Sequence, residues 1–187
     1  MNAKIILLTM AILIPFGLKM QAQNNTSGNK ILVVYFSHTK NTKEIATQIQ
    51  QLTGADLFEL VPSRDYTTDY QALIEQAKKE INADYKPPLK NNLQGIDQYD
   101  VIFVGSPNWW NTFAPPVATF LTSHDFSGKT IVPFITHEGS RMGRSEADMK
   151  KLCPKATFLK GLPIRGSSVK EAKPLVERWL REIGVMK

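Results

Sequence analysis

Cysteine is almost missing from this 187-residue chain, and its one thiol, Cys153, has no partner for an internal disulfide. The core must therefore hold without covalent staples, and a buried, inert thiol is the expected fate of Cys153. Histidine is nearly as scarce: His38, His124 and His137 are scattered and define no triad, and Ser37 stands in no GxSxG elbow, which leaves a hydrolase with little support. Neither the GxxxxGK[ST] loop of nucleoside triphosphatases nor the GxGxxG of dinucleotide folds occurs. No segment gathers Lys and Arg among stacking aromatics, so no nucleic-acid partner is expected, and internal repeats and low-complexity tracts are missing. Nor is there an apolar run of the roughly 20 residues that a spanning helix needs.

The longest such run, Ile5–Leu18, follows Lys4 and is about 14 residues long, the plan of a secretory signal peptide. Pro15 near its end suits a cleavable segment, with cleavage expected near Ala22 and a mature start at Gln23; the bulky Met20 keeps an uncleaved membrane anchor as the alternative. No cysteine near that point offers a lipid anchor. The expected organisation is a leader over residues 1–22, a polar tether over 23–29 (containing NNTSGN) and one domain over 30–187, exported to the bacterial periplasm. With 42% hydrophobic and 21% charged side chains, one globular core is the default. Formal charge is +6, and removal of Lys4 and Lys19 with the leader leaves +4, a mild preference for anionic partners or for proximity to a membrane surface.

From residue 30 onward, short apolar runs alternate with segments of helical period, the pattern of a parallel sheet covered by helices. Ile31–Phe36, Val101–Gly105 and Ile131–Ile135 are continuous apolar runs suited to interior strands; Asp56–Val61 and Ala156–Leu162 mix charge into the run and suit edges. The expectation is an α/β, three-layer, doubly wound, five-stranded parallel sheet with strand order 2-1-3-4-5. Pro133 is awkward inside an interior strand, since it removes a ladder donor. Helical stripes follow at Ile45, Ile49, Leu52; at Tyr70, Leu73, Ala77, Ile81; at Val117, Phe120, Leu121; over Ser145–Leu152 with Ser145 as cap; and at Leu175, Val176, Trp179, Leu180, Ile183, where Pro174 favours a start near Lys173 over a capping box at Ser168.

In such a sheet, ligands bind beyond the carboxyl ends of the strands where strand order reverses, between strands 1 and 3. The first segment there is Ser37, His38, Thr39, Lys40, Asn41 and Thr42, whose hydroxyls, turn amides and helix N-terminal amides converge on a point that a phosphate dianion would satisfy. The bland alternative is a polar turn with Thr42 as helix cap. Pro107, Asn108, Trp109, Trp110 and Asn111 form the second; its two indoles offer stacking surface to a planar heteroaromatic ring, unless they only plug the loop. The third, Thr136, His137, Glu138, Gly139 and Ser140, supplies donors and acceptors for the polar edge of such a ring, against the alternative of a solvated loop.

With ILVVYFSHTKNT, VIFVGSPNWWNTFAPP and IVPFITHEGSRMG at the ends of three interior strands, the chain resembles the flavodoxin family, specifically its short-chain and FMN-dependent quinone-reductase-like bacterial members, from about Lys30 to the C-terminus. The resemblance implies FMN as cofactor: Ser37 to Thr42 around its phosphate, Pro107 to Asn111 bordering the isoalloxazine, and Thr136 to Ser140 at its pyrimidine edge. It further implies electron transfer or quinone-type reduction with a redox partner protein or a quinone, the chemistry being the flavin's, with no catalytic side chain and no metal. An FMN-dependent oxidoreductase linked to NAD(P)H or quinone and a plain electron carrier both remain open. So does an exported binding or scaffold module that kept the fold and lost the flavin. His137-Glu138-Gly139 stands where family members often carry Ser-Gly-Gly, and Arg141 where they carry Gly, so the ring's surroundings are more charged; the basic chain also departs from the acidic electron carriers.

Overall fold

The structure is a computed structural model that describes residues 29–186. The expected leader and nearly all of the expected tether lie outside the described residues. Elements follow in the order β1 (Ile31–Tyr35), α1 (Asn41–Thr53), β2 (Asp56–Glu59), α2 (Tyr70–Asn82), β3 (Val101–Trp109), β4 (Thr112–Phe113), α3 (Pro115–Thr122), β5 (Thr130–His137), α4 (Ser145–Leu152), β6 (Thr157–Phe158), β7 (Leu162–Arg165) and α5 (Lys173–Glu182). The strands form one sheet in the path β2-β1-β3-β5-β6, with β4 antiparallel on β3 and β7 parallel on β5. This is the expected flavodoxin-like doubly wound α/β order, with extra strand segments.

Apolar runs explain the layering. In β1, Leu32 and Val34 point to one side and Val33 and Tyr35 to the other, all buried, so neither face of the strand is wet. One core lies between the sheet and α2, α3 and α4, around Phe120, Leu121, Ile131, Ile135 and Met149. The other lies beneath α1 and α5, where Ile45, Ile49, Val176, Trp179 and Leu180 meet Phe103, Val132 and Phe134. Cys153 is buried, and burial pushes its thiol up to about 11.

Three local expectations are corrected. The fifth strand, expected over Ala156–Leu162, is broken into β6 and β7, and Pro133 is the reason. The Leu159 amide donates to the Ile131 carbonyl at 3.1 Å, so odd-numbered residues of β5 direct their backbone polar groups to this edge. Pro133, next in that series, has no N–H to offer, and the pairing stops between Ile131↔Phe158 and Phe134↔Leu162. On its other side β5 keeps continuous register with β3 from Val101↔Thr130 to Pro107↔Thr136. Next, β3 runs four residues beyond Gly105 and turns back into β4, so Pro107 to Trp109 are strand rather than loop. Finally, Ser145 is the first residue of α4 instead of its cap: Arg144 holds the cap position, and the Ser145 hydroxyl is buried without a partner among the described residues. α5 starts at Lys173, as Pro174 required.

Candidate functional site

At the carboxyl ends of β1, β3 and β5, where strand order reverses, the structure opens a cleft of about 520 Å³. Of the residues read as a site, His38, Thr39, Asn41, Pro107, Asn108, Trp109, Trp110, Asn111, Thr136, His137, Glu138, Gly139 and Ser140 line it. Ser37, Lys40 and Thr42 do not, and each has a different task.

Lys40 holds the N-cap position of α1 at a φ of 69°, a left-handed conformation for a residue with a Cβ, so Thr42 lies in the first turn and is not the helix cap. Lys40 in the left-handed region followed by right-handed Asn41 is the backbone pairing that turns successive N–H groups into one concavity. Ser37 accepts from the Lys43 amide at 3.2 Å, and the Lys40 carbonyl takes the Glu44 amide at 2.9 Å. The amides of residues 38 to 42 have no protein acceptor among the described residues, as the first turn of a helix dictates for those that belong to it. Thr42 is buried, and its hydroxyl lies 2.9 Å from that of Thr136, joining the start of α1 to the end of β5. Two hydroxyls sharing one contact use one proton between them. The other proton is left over, and Thr136 is the member of the pair that borders the cleft.

The second wall is the β3–β4 hairpin. Asn108 pairs with Phe113 and Trp109 with Thr112, leaving Trp110 and Asn111 as a two-residue turn at φ values of 49° and 68°. Positive φ at both turn residues matches the twist of the flanking strands. Asn111 tolerates it; for a bulky Trp it is strain. The two indoles have parted ways. Trp109 packs edge to face on Tyr66 at 4.9 Å, on Phe36 at 5.5 Å and on His38 at 6.0 Å, so it both plugs the loop and borders the cleft. Trp110 is 47% exposed, donates its Nε1–H to the Ile74 carbonyl at 2.8 Å and has the Lys78 ammonium 4.9 Å above its ring.

A strap over residues 138–144 closes the third side. Asn108 donates from Nδ2 to the Arg141 carbonyl at 3.0 Å, and the Arg144 amide donates to the Asn111 carbonyl at 2.8 Å. Gly143 sits at a φ of 53°, where a Cβ would fall 2.4 Å from that same Asn111 oxygen. Asp148 anchors the arrangement by accepting from Thr112, Arg144 and Lys151 at 2.8–2.9 Å. Burial works to raise its pKa, but hydrogen bonds from Lys151, Thr112 and Arg144 outweigh it and hold the carboxyl below the ordinary range. Glu138 and Asn41 both lie over Gly166, whose absent side chain leaves them room: a Cβ there would meet Glu138 Oε1 at 2.1 Å and Asn41 Nδ2 at 2.5 Å. Arg165 stands 3.9 Å from Glu138.

The fourth wall escaped the sequence reading. Tyr70, Leu73, Ile74 and Ala77 of α2 line the cleft, and Tyr70 is 69% exposed. They were legible as a helical stripe, but not as a site. The topology carries the signal: the connection from edge strand β2 back across β1 to β3 must pass beside the point where strand order reverses.

The residues present fit a planar ring bearing a phosphate. The volume lies within the roughly 300–1,000 Å³ of small-molecule sites. The amides at α1 and the spare hydroxyl proton are neutral donors lacking acceptors among the described residues, and indole and phenol surface lines the same cleft. His137 Nδ1 is buried without a partner among the described residues.

A model of the flavodoxin family matches residues 30–183. The chain is similar to a candidate flavoprotein of Bacteroides eggerthii, with 32% identity, 83% of this chain and 98% of that chain covered, and a TM-score of 0.74. A second candidate flavoprotein, from Bacteroides uniformis, is 30% identical over 82% of this chain and 99% of its own, also with a TM-score of 0.74. A flavoprotein of Lactobacillus acidophilus, solved in complex with FMN, shares the fold at 21% identity, 76% and 97% coverage and a TM-score of 0.63. No curated protein matches the chain.

Proposed function

The chain belongs to the flavodoxin family, and from that premise we propose that its cleft holds FMN and that the protein is a flavin-dependent redox protein. The observation that carries the reading is the set of donors at the start of α1 without acceptors among the described residues, beside a cleft that aromatic side chains also line. Amides of residues 38 to 42, with Ser37 and the hydroxyls of Thr39 and Thr42–Thr136 in support, hold the phosphate without a formal cation, since no Lys or Arg among the described residues lines the cleft. Trp109, Trp110 and Tyr70 border the ring, and Thr136 to Ser140 meet its polar edge. Bound FMN supplies one- and two-electron transfer; the chain contributes orientation, exclusion of water and local charge. Glu138, next to the ring's polar edge, opposes negative charge there, while Arg141 and Arg165 favour it.

Export and a periplasmic location complete the proposal, resting on the leader pattern of residues 1–22. Soluble nicotinamide donors are scarce outside the cytoplasm, so the donor or acceptor is a quinone or a redox partner protein near the membrane. The test is the visible spectrum of the purified protein, followed by titration of apoprotein with FMN while tryptophan fluorescence is read. A yellow protein, or quenching that saturates, supports the assignment. A colourless protein whose fluorescence ignores FMN favours a binding module on the same fold. Stopped-flow mixing of the loaded protein with NAD(P)H and a soluble quinone then separates reductase from carrier, because rapid turnover rules out a pure carrier.

A further inference from the structure

His137 ends β5 inside the cleft wall, where the resemblance called for a small hydroxyl residue. Its side chain makes no hydrogen bond to protein among the described residues, and its two ring nitrogens are not equivalent: only Nδ1 is sealed away without a partner. A sealed N–H costs more than a sealed lone pair, because orphaned buried donors are rarer than under-satisfied acceptors. That asymmetry favours the neutral tautomer with its proton on Nε2. Resting on the FMN reading of this cleft, we propose that His137 is a neutral, specificity-determining donor that offers Nε2–H to the N1–C2=O acceptor edge of the flavin.

Electrostatics agree with the geometry. Burial holds the imidazole below the ordinary value of 6.5, Glu138 pulls the other way, and Arg141 and Arg165 add to the lowering. Glu138 and Arg141 belong to the strap that His137 leads into, and Arg165 lies opposite His137 in the β5–β7 pairing. Asn41 of α1, Asn108 of the hairpin and Tyr70 of α2 face the cleft without formal charge. The ring thus stays neutral at pH 7, and His137 brings a fixed dipole rather than a mobile positive charge. Hydrogen bonds to a charged acceptor are about twice as strong as neutral ones. The bond should accordingly tighten when the flavin is reduced and negative charge gathers on N1 and C2=O, and the midpoint potential should rise with it.

Two measurements test this. Long-range 1H–15N NMR of the flavin-free protein at pH 7 reads the tautomer of His137 directly, assigned by its loss in His137→Gln; a proton on Nε2 is expected, and a proton on Nδ1 overturns the proposal. Fluorescence titration with FMN, alongside 13C NMR of FMN labelled at C2, compares wild type with His137→Leu and His137→Gln. Leu removes the donor and should weaken FMN by about tenfold, shift the C2 resonance and make the potential more negative; Gln keeps an N–H and should stay within about threefold of wild type. A general packing role would not be rescued by Gln and would leave C2 in place. FMN uptake by wild type that His137→Leu leaves unchanged sinks the donor alone. No uptake by folded wild type sinks the flavin reading and the donor with it.

Discussion

Among the described residues, the Thr42–Thr136 contact is the one side-chain hydrogen bond tying the start of α1 to the end of β5, and a double-mutant cycle can weigh it. Both residues are nearly inaccessible, at 1% and 4% exposure, and their hydroxyls meet at 2.9 Å. Thr→Val keeps the shape and deletes the hydroxyl. Either single change strands the surviving hydroxyl in the core, at a cost of about 1–3 kcal/mol. Changing both strands nothing, so the double variant should lose less than the sum of the singles, with a coupling of about 1 kcal/mol or more. In a domain of this size each kcal/mol is worth about 2–4 °C in the thermal midpoint, so the singles should melt visibly lower than wild type. Urea titrations followed by circular dichroism supply the four free energies. The two residues differ toward ligand: Thr136 borders the cleft and Thr42 does not, so Thr136→Val should weaken FMN by about tenfold and Thr42→Val by less. Strict additivity of the single costs, to within about 0.3 kcal/mol, would refute the claim that the two hydroxyls satisfy each other.

Three further expectations concern the walls of the cleft. Gly143→Ala combines a left-handed backbone with a Cβ 2.4 Å from the Asn111 carbonyl, so urea unfolding should show a loss of about 1–3 kcal/mol, and FMN affinity should fall as the strap lifts from the hairpin. Trp110→Asn relieves the strain at a φ of 49° while deleting the bond to Ile74; these offset, so calorimetry should find stability within about 1 kcal/mol of wild type, whereas FMN binding should weaken clearly. Because the folded-state pKa of His137 lies below its unfolded value, the unfolded chain binds the extra proton first. Stability contributed by the neutral imidazole is complete above pH 6.5 and falls as the pH drops through the folded value, so chemical denaturation in that acidic window should show a shallower pH slope in His137→Gln.

Much of the fold could be read from the chain because burial on both faces leaves a mark in one dimension. A run such as ILVVYF has no polar position to spare for water, whereas DLFELV has, and that contrast separates interior from edge strands, which fits the order 2-1-3-4-5 of a doubly wound sheet. Pro133 was legible as a problem, but not where the problem would surface. The side of β5 that its missing N–H faces depends on the parity of the ladder, and that parity put the break in the edge strand. The hairpin was missed because Asn111 and Trp110 do not spell a familiar tight turn; Trp is a poor occupant of positive φ, and here Ile74 and Lys78 receive its ring.

Residue types and their spacing set the family, the sheet order and thirteen of the lining positions, because each of those follows from patterns within one strand and the turn after it. Which donors remain free did not follow. Thr42 turned to Thr136, Ser37 to the Lys43 amide and Trp110 to a helix far along the chain, pairings between residues up to 94 apart. Hydrogen bonds are short and directional, so their partners are chosen by where separate elements come to rest in space, which a linear pattern does not record.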